Sequence, residues 1–143
     1  MSQRIVHAVD VKASSKEVAD AIGTQQGLAS FWVPNVEASA KKGSVSTFRF
    51  AGAPVGLKMR VDELSTKRIA WKCMGDFPGW EGSNVVWELT KLPKDGGTKV
   101  VFRHEIAEDW PDAALGEVSY TWAGVCARLK QYLESGRPNP YLS

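Results

Sequence analysis

Six apolar residues near the end of this chain, Leu115, Val118, Trp122, Val125, Leu129 and Tyr132, recur at alternating steps of three and four. On a helix of about 3.6 residues per turn, that spacing gathers them into one stripe on a single long helix of about two dozen residues. Between Ser44 and Ile106 the chain instead alternates apolar and polar residues, the period of strands. A helix with one apolar stripe has to bury it, and the partner available here is a sheet. The chain is thereby restricted to an α+β fold with one long C-terminal helix laid across an antiparallel sheet. A helix on a curved sheet leaves a space beneath it. Whether side chains or a ligand fill that space is the functional question.

The strands read as follows. Residues 3–12 place Ile5, His7, Val9 and Val11 on one face, and an edge strand is expected there. Residues 44–51 turn Phe48 and Phe50 inward, and 55–64 turn Leu57, Met59 and Val61 inward. Residues 67–74 contribute Ile69, Trp71 and Cys73, and 83–92 contribute Val85, Trp87 and Leu89. Residues 98–107 contribute Val100, Phe102, His104 and Ile106. One wet and one buried face on each strand is the pattern of an antiparallel sheet. Residues 33–38 suggest a seventh strand, so the sheet has about six or seven. Gly43, Gly52, Gly56 and the Asp95-Gly96-Gly97 run supply turns.

Two short helices are expected after the first strand. Ser14 with Glu17 three residues later has the form of a capping box, Gly23 stops the first helix, and Thr24 starts the second, which runs to about Ser30. The long helix is expected to begin with Pro111 at its first position and to stop at Gly136 and Pro138. No linker or repeat interrupts this order, so residues 1–143 are expected to form a single domain.

Charge excludes some functions. Eighteen Lys and Arg against 16 Asp and Glu give a net charge of +2, too little for a nucleic-acid surface, and Lys41-Lys42 is only a pair. No run of about 18 apolar residues predicts a membrane span. The N-terminal MSQRIVHAVDV lacks the apolar core of a signal peptide, so a cytoplasmic protein with reduced Cys73 and Cys126 is expected. Two distant cysteines and two histidines, His7 and His104, make no zinc spacing, so neither metal nor cofactor is expected.

Three segments carry a family resemblance. VDVKASSKEVADAI is a strand followed by Ala-Ser and a short helix, LASFW at 28–32 ends the second helix, and TWAGVCARLKQYLESGRPNPY spans 121–141. Together with the element order they resemble the START-like (Bet v 1-like, or SRPBCC) superfamily. Within it, they are similar to the branch of the activator of heat-shock protein 90 ATPase. The resemblance covers essentially the whole chain. It implies the helix-grip fold and an internal cavity between sheet and helix. It implies no catalytic residue, because members of this branch differ widely in what they do.

The candidate ligand-binding residues are the inward aromatic and apolar set: Phe48, Phe50, Met59, Trp71, Cys73, Trp87, Phe102 and His104 from the sheet, with Val118, Ser119 and Trp122 from the helix. Such a lining, apolar with a few polar groups, is that of a ligand pocket and equally that of a core. Residues 75–82 are long for a hairpin loop and Gly-rich. Phe77 and Trp80 are lid candidates there, with Trp110 across the mouth. His104 has an intrinsic pKa near neutrality, and as a pair with Tyr120 it is the weak candidate for acid–base work; a structural histidine bonded to a neighbour is the alternative. His7 is expected to be exposed or at a sheet edge. Cys73 and Cys126 read as small buried hydrophobes rather than nucleophiles.

Three classes of function follow. The first is a binding protein for a small apolar, aromatic or lipid-like molecule. The second is a cyclase-, aromatase- or hydrolase-like enzyme using His104. The third is an interaction module for a chaperone partner, implied by the resemblance. A monomer or a homodimer paired through a strand edge, at 3–12 or 44–51, is compatible with each.

Overall fold

The computed structural model describes residues 3–75, 77–94 and 96–143; Asp76 of the lid candidate loop and Asp95 of the turn run lie outside them. The order is β1 (Gln3–Val11), α1 (Ser15–Gly23), α2 (Gln25–Phe31), β2 (Val36–Glu37), β3 (Val45–Phe48), β4 (Leu57–Leu64), β5 (Arg68–Met74), β6 (Asn84–Lys91), β7 (Thr98–Ile106) and α3 (Asp112–Ser135). The strands form one antiparallel sheet in the order β1-β7-β6-β5-β4-β3-β2. This is the helix-grip arrangement. α1 and α2 carry the chain from β1, at one edge, to β2, at the other. The edge opposite β1 is the two-residue β2, not residues 44–51, because Val36 and Glu37 pair with Phe48 and Thr47.

Local chemistry sets the element ends. Ser14 accepts from the Glu17 N–H while Glu17 accepts from the Ser14 N–H, completing the capping box of α1. The turn into α2 is tight: a Cβ on Gly27 would lie 2.1 Å from the Ala21 carbonyl oxygen, so only glycine fits there. Between Val61 and Glu63 the β4–β5 register slips by one residue, and such a bulge bends a sheet. Pro111 stands one position earlier than expected: its extended backbone (φ −60°, ψ 154°) makes it the cap before α3, and Asp112 is the first helical residue.

Leu129, Val125 and Trp122 of the α3 stripe are buried against the sheet. After Gly136, which caps α3 in the left-handed conformation, the chain folds back along the end of α2. Asn139, Tyr141 and Leu142 donate their backbone N–H groups to the carbonyls of Ser30, Phe31 and Trp32 at 2.8, 3.1 and 2.9 Å. These are the carbonyls that the end of a helix leaves without intrahelical partners. Arg128 fixes the tail from α3, donating to the Asn139 carbonyl at 2.9 Å and lying over the Tyr141 ring at 5.7 Å. Tyr141 fits because residue 124 is glycine; a Cβ there would stand 2.2 Å from the phenol ring.

Candidate functional site

The middle of the space between α3 and the sheet is filled. Trp122 is 2% exposed and touches Phe102, Trp32 and Trp87, with ring centroids 4.4, 5.0 and 6.3 Å away. What stays open is a cleft of about 230 Å³ at the N-terminal half of α3. Trp32 enters it from the end of α2, Phe50 from the β3–β4 connection, Leu57 from the start of β4, and Phe77 and Trp80 from the β5–β6 loop. Val118, Thr121 and Trp122 of α3 form its floor and side, and Leu142 of the returning tail closes it. No lining residue is charged. The one hydroxyl, of Thr121, already donates to the Glu117 carbonyl at 3.0 Å. Such a lining suits apolar surface and offers no fixed charge to a ligand.

The β5–β6 loop is held from three sides. Gly82 N–H donates to the Cys73 carbonyl at 3.0 Å, and Ser83 N–H to that of Trp80 at 3.0 Å. Trp110 Nε1–H donates to the Gly79 carbonyl at 3.0 Å. Trp110 is itself anchored to β1: its N–H donates to Gln3 Oε1 at 2.7 Å and its carbonyl accepts from Gln3 Nε2 at 3.0 Å. Trp110 thus stands behind Trp80, centroids 5.8 Å apart, rather than in the cleft.

His104 lies beneath Trp80, with 0% exposure and ring centroids 4.5 Å apart. Its Nδ1 accepts from Trp122 Nε1–H at 3.1 Å. Burial lowers its pKa from 6.5 to about 4, so the ring is neutral at pH 7. With Nδ1 accepting, the single ring proton sits on Nε2, which has no hydrogen-bond partner among the described residues.

Among the expected ligand-binding residues, Phe50, Val118 and Trp122 line the cleft, as do the lid candidates Phe77 and Trp80. Phe48, Met59, Trp71, Cys73, Trp87, Phe102 and His104 are buried in the core beneath it, none more than 3% exposed. Ser119 turns away towards β1, where its Oγ lies 3.3 Å from His7 Nε2. His7 lies on the edge strand β1, as expected, but is engaged there: Nε2–H donates to the Ser119 carbonyl at 3.1 Å and the ring stacks near Phe102. The His104–Tyr120 pair is not assembled. Tyr120 is 76% exposed, because two residues along a helix turn it about 200° from both Val118 and Trp122. Cys73 and Cys126 are buried free thiols, both raised to about 12 by burial.

Trp32, Thr121 and Leu142 were not among the expected site residues, and Leu57 was read only as an inward-facing strand residue. Trp32 ends the apolar LASFW run, and Leu142 follows a Pro-x-Pro stretch that cannot continue the helix. Those two signals mark segments that have to return to the core. Among the described residues no cluster of His, Cys, Asp or Glu has the arrangement of a metal site, and no helix is long and apolar enough to cross a membrane.

A family model described as polyketide cyclase / dehydrase and lipid transport matches residues 2–135. No curated protein matches the sequence. Among solved structures, the Aha1 dimer from Colwellia psychrerythraea is 28% identical, with a TM-score of 0.82 over 94% of this chain and 98% of that one. DynU16, a protein of the dynemicin biosynthetic locus, is 22% identical with a TM-score of 0.77, over 98% of this chain and 49% of its own. MLL2253 from Mesorhizobium loti is 15% identical with a TM-score of 0.77, over 92% and 97%. At these lower identities the last two likenesses concern the fold alone.

Proposed function

Since the chain belongs to the polyketide cyclase / dehydrase and lipid transport family, we propose that it is a non-catalytic binding protein for a small apolar or aromatic molecule. The ligand would sit in the cleft between α3, the end of α2 and the β5–β6 loop. The observation that carries this reading is the cleft itself, an aromatic-walled opening without a charged side chain. At about 230 Å³ it is smaller than the roughly 300–1,000 Å³ usual for drug-sized ligands, so a ring system of one or two fused rings is the fitting size.

The whole chain is read here as one domain, because every strand joins one sheet and α3 packs upon it. The free thiols support a reducing, cytoplasmic setting. A homodimer is supported by the exposed edge of β1, where Val6 is 50% exposed, and by the dimeric Colwellia relative. That relative, with the resemblance to the activator of heat-shock protein 90 ATPase, also supports a second reading as a module that acts on a chaperone.

Three tryptophans in the cleft supply the assay. Titration with naphthalene-sized probes should quench intrinsic fluorescence saturably, and Thr121→Trp, which fills the cleft, should abolish the effect. Absence of saturable binding, with no small-molecule adduct in native mass spectra of protein from its host, would reject the binding reading. Stoichiometric recovery of the host's heat-shock protein 90 in a pull-down would then favour the second.

A further inference from the structure

An unpartnered buried donor is rare, because leaving an N–H group without an acceptor forfeits roughly 1–3 kcal/mol. Two side-chain donors of this kind occur among the described residues, Trp87 Nε1 and His104 Nε2. Trp87 packs against Phe102 at 4.8 Å and Trp71 at 5.9 Å, and the cleft-lining ring it meets, Trp122 at 6.3 Å, is 2% exposed and fixed on α3. His104 is different. The ring laid over it at 4.5 Å is Trp80, and Trp80 is also a wall of the cleft. One indole therefore lies against both the open space and the imidazole that carries the orphaned N–H.

That indole is half-buried and rides on the Gly-rich β5–β6 loop, outside any strand or helix. Gly79 and Gly82 flank it with φ of 81° and 84°, in the left-handed region that only glycine adopts without strain. Trp110 crosses His104 at 83° and 5.4 Å, an edge-on contact that satisfies a donor only weakly. The bond from Trp122 to Nδ1 leaves Nε2 as a donor and nothing else. The group that completes this site has to be an acceptor. A carboxylate is disfavoured, because the imidazole is neutral and no cation lines the cleft to pair with a buried charge.

We propose that Trp80 is a movable partition, and that the ligand is a flat apolar molecule bearing an uncharged carbonyl. The ligand's ring takes the place of the Trp80 indole and its oxygen accepts the His104 Nε2–H. The inference rests on the binding reading above and specifies its polar anchor.

The test compares 2-acetylnaphthalene with 2-isopropenylnaphthalene, which replaces the carbonyl oxygen by a methylidene group of similar shape. The ketone should bind about tenfold more tightly to the wild-type protein. Trp80→Ala should strengthen ketone binding several-fold by removing the partition, and His104→Phe should erase the preference. With histidine-selective ¹⁵N labelling the ketone should move the His104 Nε2 resonance while the hydrocarbon leaves it in place. That readout needs no variant to fold. Equal affinities with an unmoved Nε2 signal would overturn the carbonyl anchor, leaving a bound water as the partner of Nε2 and the binding reading intact. Weaker ketone binding in Trp80→Ala would overturn the partition. Failure of both probes to bind the wild-type protein and Trp80→Ala alike would remove the binding reading and this inference together.

Discussion

Replacing Trp122 by alanine tests the reading of the interior most directly. The ring is 2% exposed and has five aromatic neighbours, from Phe102 at 4.4 Å to Trp87 at 6.3 Å. Truncating a buried tryptophan to alanine costs about 3–5 kcal/mol through lost transfer energy and the void left behind. A second loss adds to it, because Trp122 Nε1–H is the only partner of His104 Nδ1 among the described residues. A buried acceptor so abandoned costs roughly 1–3 kcal/mol. An offset acts against both: the vacated space joins the existing cleft, so water reaches it and solvates Nδ1. The net expectation is about 4 kcal/mol. For a chain of 143 residues this lowers the melting temperature by about 12 °C. Trp122→Phe keeps most of the ring and should lose about 2 kcal/mol. Urea unfolding followed by far-UV circular dichroism gives these values, provided the denaturant slope is unchanged. A double-mutant cycle with His104→Leu should return a coupling of about 1 kcal/mol. A loss below about 1 kcal/mol for Trp122→Ala, or no coupling, would refute the picture of a filled interior closed by this bond.

Four further outcomes follow. His104, with a folded pKa near 4 against 6.5 unfolded, contributes no pH dependence above about pH 6.5, where it is neutral in both states. As pH falls from 6.5 to 4 the unfolded chain takes up a proton that the folded one refuses, so stability should drop by up to about 3 kcal/mol, and His104→Leu should flatten that slope. Both thiols, pushed up to about 12 by burial, should react with a thiol reagent only at the rate of unfolding; fast labelling of native protein would contradict their burial. Gly124→Ala should displace the tail through its clash with Tyr141 and lower the unfolding midpoint, and Tyr141→Ala should relieve most of that loss in the double variant. Ser14→Ala should remove about 1 kcal/mol by deleting the α1 cap, read as a melting shift.

Most of the architecture was legible because strand and helix periods leave separate marks. The alternation of Leu57, Met59 and Val61, or of Phe102, His104 and Ile106, names the buried face of a strand without reference to any partner. The site was less legible, since the inner face of a sheet is a list and a cleft is a place. Phe48 and Phe50 share one register in sequence, yet β3 ends at Phe48. Phe50 stands at the cleft while Phe48 sits under Trp32 at 4.3 Å. Ser119 adjoins Val118 in sequence, but one helical step of about 100° turns it to His7. Which end of the groove stays open depends on the tail that brings Leu142 to the end of α2. That contact joins residues more than a hundred positions apart, and no local period announces it.

The bond between Trp122 and His104 links the closed core to the open end. A core filled with aromatic rings needs no functional explanation, because rings on the inner face of a sheet under a helix are what folding selects. A polar residue there requires one: Nδ1 is accounted for by the buried Trp122 N–H, which phenylalanine at position 104 would orphan, and what stays unexplained is Nε2. By accepting from Trp122, His104 makes the tautomer a property of the fold and leaves its one remaining polar atom facing away from that bond. Local inconsistency of this kind, in a chain whose caps, turns and strand faces otherwise agree, is where a functional demand on the sequence is expected to show. The same reasoning separates His104 from His7, which has its acceptor in the Ser119 carbonyl and is explained by joining β1 to α3.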